Sequence, residues 1–74
     1  MLKVSIVFDY TNQYGSESRE NIIGNVETNQ NGDVEYKTIL EKIKSYGFSK
    51  ARVNDLKVYH FNRLIDFGEI KLVK

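Results

Sequence analysis

One histidine, no cysteine and ten scattered carboxylates set narrow terms for chemistry in this chain of 74 residues. Catalysis needs a nucleophile, an acid–base group and a polarising group that converge on one pocket. His60, the only imidazole, sits between Tyr59 and Phe61 in a run of strand-forming residues. A half-buried structural role fits it there better than the role of a base. A metal centre would need further ligands beside it, and the Asp and Glu residues show no ligand-like spacing. The glycines form neither a dinucleotide fingerprint nor a phosphate loop. The sequence thus predicts no catalytic residue, cofactor, metal or small-molecule substrate, and the chain reads as a non-enzyme.

The residues that do suggest an activity alternate along one expected strand. If Val58 and His60 face a core, Lys57, Tyr59 and Phe61 face the other way, and Arg52, Arg63 and Lys71 can join that row, depending on register. Aromatic rings flanked by cations on an open sheet suit single-stranded nucleic acid, since rings stack on bases and cations hold phosphates. The glycine-rich aromatic signature of the common RNA-binding sheet domain is absent, as is its second helix. The same exposed rings serve a protein interface equally well. Val7, Ile23, Tyr59, Phe61, Phe67 and Val73 would form contiguous apolar area on an uncovered sheet face. Tyr14, alone in a polar stretch, is a second candidate contact. Protein binding, self-association included, is the preferred expectation, with a nucleic-acid module as the alternative.

These residues need a scaffold, and the clearest element is a helix. Tyr36, Ile39, Leu40, Ile43 and Gly47 recur at helical spacing in the segment that runs from Val34 to Tyr46. Asp33 is placed to cap its start and Gly47 to end it in a left-handed conformation. Phe48 would pack back near Ile43. Before the helix, Leu2, Val4, Ile6, Phe8 and Tyr10 alternate with Lys3, Ser5, Val7 and Asp9, which predicts a strand with one buried side. Residues 11–20 contain no apolar aliphatic residue and read as a long polar loop. Asn21 to Thr28 resumes a strand, with Ile22, Gly24 and Val26 on one side; Gly24 marks a bulge or a close approach.

After Gly47, Ala51 and Val53 alternate, Asn54-Asp55 interrupts, and Leu56 to Phe61 follows as a strand. A helical stripe of Leu56, Tyr59, His60, Arg63, Leu64 and Phe67 competes with that reading across residues 56–67. The strand is preferred because Val, Tyr, His, Phe and Asn in succession form helices poorly. Asn62-Arg63 or Asp66-Phe67-Gly68 would then turn the chain into a closing strand, Glu69 to Val73. The expected fold class is α+β: one domain over residues 1–74, ordered β-β-α-β-β, an antiparallel sheet with one helix on one face. Its expected core is Leu2, Val4, Ile6, Phe8, Ile22, Val26, Ile39, Leu40, Ile43, Phe48, Val58, Ile70 and Leu72. No internal repeat stands out.

Composition bounds the setting. A chain this short buries only about 60% of the surface its unfolded form exposes, so a partner, including a second copy, is one source of further burial. No apolar run approaches the roughly 20 residues that span a bilayer, and the N-terminus lacks a signal-peptide pattern. A soluble, cytoplasmic protein without membrane contact is expected. The leaning towards Lys, Asn, Ile and Tyr suits an AT-rich genome, such as a low-GC bacterium or one of its phages, and an accessory protein of a mobile element. The charges are unevenly spread: two basic residues oppose six acidic ones up to Tyr36, and nine basic oppose four acidic ones from Lys37 onward. That asymmetry suggests a polar surface able to orient a partner.

Overall fold

The computed structural model describes residues 1–65 and 70–74. Its main body is a four-stranded antiparallel sheet in the order β2-β1-β4-β5, formed by Leu2–Thr11 (β1), Glu17–Val26 (β2), Arg52–His60 (β4) and Arg63–Leu64 (β5). Between the two halves of this sheet the chain forms Val34–Glu35 (β3) and then Tyr36–Ile43 (α1). Lys44–Phe48 carries the winding on until Tyr46 and Gly47 leave helical geometry. Leu72–Val73 (β6) pairs in parallel with β3 as a separate two-stranded sheet. The fold is α+β, with one helix packed on one face of an antiparallel sheet, as the alternation and the helical stripe predict.

The alternation of β1 builds the core. Val4, Ile6 and Phe8 are almost wholly buried, and register sets them beside Ile22 of β2 and Val58 of β4. Ile39 and Ile43, one helical turn apart, close over them, and Val34, Val26 and Ile65 complete the cluster. Each such side chain contributes about 1.5–3 kcal/mol when fully buried. Leu2, Phe48, Ile70 and Leu72 pack partly buried against this cluster, together with Tyr10, Val53 and Leu56. Leu40 is half-buried and lies outside the cluster, whereas Val34 and Ile65, not on the expected list, are in it.

Several expected details differ. Val34 and Glu35 are strand, not helix, because the Val34 amide donates to the Lys71 carbonyl, and α1 begins at Tyr36 without a side-chain cap. Asp33 serves the C-terminal segment instead: its Oδ1 accepts from the Lys71 amide at 2.9 Å. Gly47 does end the helix, at φ 97°. Phe48 goes into an aromatic cluster, edge-on to Phe8 at 5.2 Å and to Tyr10 at 5.0 Å. The closing strand is short, and its partner is β3 rather than the main sheet. Glu69 and the Asp66-Phe67-Gly68 turn fall outside the described residues.

Half of residues 11–20 are strand, not loop. β1 and β2 stay paired from Leu2 and Val26 out to Thr11 and Glu17, which leaves a turn of only Asn12 to Ser16. The Asn12 Oδ1 accepts from the Tyr14 and Ser16 amides, and Gly15 supplies φ 86°. The turn before β3 is built the same way: the Asn29 Oδ1 accepts from the Asn31 and Asp33 amides, and Gly32 has φ 80°. Asn-Gln-x-Gly occurs at both places, so one local repeat exists after all, and it encodes a turn. Gly24 meets side chains of the helix rather than backbone, since a Cβ there would lie 2.8 Å from the Lys42 Cε and 2.9 Å from the Tyr46 hydroxyl.

The contested segment 56–67 is strand as far as His60, not helix. A register shift between Asp9 and Tyr10 leaves Asn54 as an extra residue in β4. Without it Val53 and Leu56 would fall on opposite faces; with it both turn towards the core. No helix among the described residues is long and apolar enough to cross a membrane.

Candidate functional site: the uncovered face of the sheet

With α1 packed over Val4, Ile6 and Phe8, the odd-numbered residues of β1 point the other way. Pairing register extends each of them into a cross-strand row. One row is Ile23, Ser5, Tyr59 and Leu64, and the next is Asn21, Val7 and Lys57. The third is Arg19, Asp9 and Asp55, and beyond the bulge come Glu17, Thr11 and Arg52. Cross-strand neighbours of this kind lie about 4.5–5.5 Å apart at Cβ, so each row is a contact set.

The rows divide the face into two unlike halves. Towards the β1–β2 turn it is charged and internally balanced. The Arg19 Nε donates to the Asp9 Oδ1 at 2.7 Å, and Nη2 donates more weakly to Oδ2 at 3.4 Å. That hydrogen bond, opposed by desolvation and helped by the charges of Arg19 and Lys57, holds the Asp9 carboxyl below its ordinary range. The same bond raises the Arg19 pKa, with the Asp9 charge next and Asp55 adding a smaller pull. Arg52 Nε donates to Asn54 Oδ1, and Asn54 Nδ2 donates to Thr11 Oγ1, which tethers that end of β4 to β1.

Towards the other end the face is apolar. Ile23 is 59% exposed, and an open depression runs beside it over Lys3, Ser5 and Tyr59 to Phe61 and Asn62. Ser5 donates to Asn21 Oδ1 at 2.8 Å, so its hydroxyl is already engaged. Phe61 is not in the strand but in the two-residue turn that joins β4 to β5, where it is 88% exposed. Its ring rests on His60 at 4.4 Å. His60 is half-buried, with Nδ1 3.0 Å from the Lys3 carbonyl oxygen; since a carbonyl only accepts, that nitrogen carries the hydrogen. The described residues bury no polar or charged side chain, and no group of three or more His, Asp or Glu among them gathers as a metal site.

The predicted binding residues therefore separate. Lys57, Tyr59 and Arg52 share the uncovered face, and Phe61 borders it. Arg63 does not join them, because it pairs with His60 and so points to the side opposite Tyr59. Lys71 belongs to the β3–β6 pair. Tyr14 stands 83% exposed on the β1–β2 turn at the far end of the sheet, beside a depression bounded by Gly47 to Ala51. Of the expected apolar patch, Val7, Ile23 and Tyr59 lie on the face, Val73 lies in β6, and Phe67 is outside the described residues. Lys3, Ser5 and Leu64 are additions. For Lys3 and Ser5 the signal was present in the alternation of β1, but only pairing with β4 sets Ser5 beside Tyr59, and the β4–β5 pair brings Leu64 there.

No protein-family model, curated protein or solved structure matches this chain.

Proposed function

We propose that this chain is a non-enzymatic binding module, acting in the cytoplasm, whose working surface is the uncovered sheet face and whose partner is a protein. The observation that carries this reading is the row Ile23, Ser5, Tyr59 and Leu64 with Phe61 at its margin. It is a strip of apolar and aromatic surface on an antiparallel sheet, open rather than enclosed. Contiguous apolar area of that kind, rimmed by polar residues, suits a protein partner. Single-stranded nucleic acid is the weaker fit, because Asp9 and Asp55 stand among the cations that would have to hold phosphates, and Arg63 and Lys71 lie elsewhere.

The test is site-specific photo-crosslinking in the native host. A photoreactive residue at position 59 should give a discrete adduct with a protein, a second copy included. The same residue at Glu41, exposed on the helix, should give none. Equal labelling from both positions, or no adduct from position 59, would overturn the reading.

A further inference from the structure

The turn at the margin of the apolar strip is built against conformational preference. Phe61 has φ 50° and Asn62 has φ 63°, so both central residues of this two-residue hairpin are left-handed. Asn tolerates that conformation, but a bulky aromatic residue there is a genuine outlier, because its Cβ crowds the backbone. The fold gains little in return, since the ring is 88% exposed and, among the described residues, touches the ring of His60 alone. Strain kept at an exposed position is a mark of function rather than of stability.

Phe61 is also a knob beside a groove. The depression that it borders runs to Ile23 across Lys3, Ser5 and Tyr59. A knob and a groove side by side on one face complement a second copy turned by a half rotation: each knob enters the other groove and the contact closes on itself. Charge favours the same occupant. Beyond the groove, the neighbours Asp9 and Asp55 are matched by Arg19 beside Asp9 and by Lys57 in the adjacent row, so the face has no dominant sign to attract an acidic or basic partner. A copy of the same balanced face meets it without excess repulsion. Lys3, in the floor of the groove, offers a cation to an entering ring.

We propose that Phe61 is the anchor of a symmetric homodimer, its ring seated in the second copy between Ile23 and Tyr59. This rests on the sheet face being the working surface, and the test separates the two. In sedimentation equilibrium of the full chain from about 1 μM to about 1 mM, a range that brackets ordinary association constants, the mass should rise from 8.6 kDa towards twice that value. Phe61→Asn should weaken the association at least about 30-fold, as expected for a central anchor. It should also leave a dispersed amide spectrum and, at a concentration where both chains are monomeric, a denaturation midpoint no lower than the wild type, because Asn accepts the left-handed backbone. Ile23→Lys, at the other rim, should weaken it as well. A wild-type mass fixed at 8.6 kDa throughout, or a Phe61→Asn variant that associates like the wild type, would overturn the dimer. An adduct between position 59 and a different protein, with the chain itself monomeric, would likewise overturn the dimer while leaving the sheet face as the binding surface.

Discussion

Asp9 and Arg19 face each other across the β1–β2 ladder as a two-pronged ion pair, one prong long, with Arg19 largely exposed to water and Asp9 partly so. Exposed pairs of this type contribute little to stability, but they leave a signature in titration. The Asp9 carboxyl is depressed by its bond to Arg19, so its contribution is present above the unfolded pKa and disappears as pH falls through the folded one. Arg19→Gln should therefore move the Asp9 carboxyl resonance, followed by NMR, to a higher midpoint. The variant should also lose the part of the wild type's acid dependence that lies below about pH 4. Unchanged titration in the variant would show that the pair is not formed. Neither partner was legible as such in sequence, because Arg19 lies where no apolar residue marks a strand. Residues 17–21 are all exposed, so β2 begins with no buried row, and only pairing with β1 makes it a strand.

At the scale of elements, the junction between β3 and α1 decides how the C-terminal segment is held. An Asp before an amphipathic run ordinarily caps a helix, and sequence reasoning assigns Asp33 that task. The structure gives the helix start to Glu35, without a side-chain bond, and gives Asp33 to the Lys71 amide. Asp33→Ala should thus leave the helical circular dichroism unchanged while it speeds hydrogen exchange at Val34 and Lys71. The loss of one bond to a charged acceptor should cost about 1.5–3 kcal/mol at most. Loss of helix content in this variant would restore the capping role. The helix itself was legible, since Ile39 and Ile43 needed only their spacing to be placed in the core. The β3–β6 pair was not, because two-residue strands carry no periodicity. The extra residue at Asn54 stood in plain view as a break between the phases of Val53 and Leu56, and only a neighbouring strand turns such a break into a bulge.

For the whole molecule, a single cluster of ten buried apolar residues carries the fold among the described residues. Domains keep roughly 0.05–0.15 kcal/mol of stability per residue, so a chain of 74 residues holds roughly 4–11 kcal/mol in reserve. Ile39→Ala, at a site with no exposed surface, should cost about 2–5 kcal/mol, a large share of that margin, as read from the urea midpoint. A shift under about 1 kcal/mol would place Ile39 outside the true core. The charge asymmetry along the chain was legible as a count but not as a surface. On the sheet face each half is nearly balanced by itself, with Lys3 and Arg19 against Asp9 and Glu17 in the first and Arg52 and Lys57 against Asp55 in the second. Pairing β1 with β4 joins Ser5 to Tyr59 across most of the polypeptide. A nascent chain can close the β1–β2 hairpin early, but its central strand keeps one side open until synthesis has passed His60. Folding must then wait for a contact of long sequence separation, which slows it and exposes an apolar edge in the interval. The interior position of β1 thus makes the protein a folder of late commitment, most vulnerable to wrong partners just before its last strands are made.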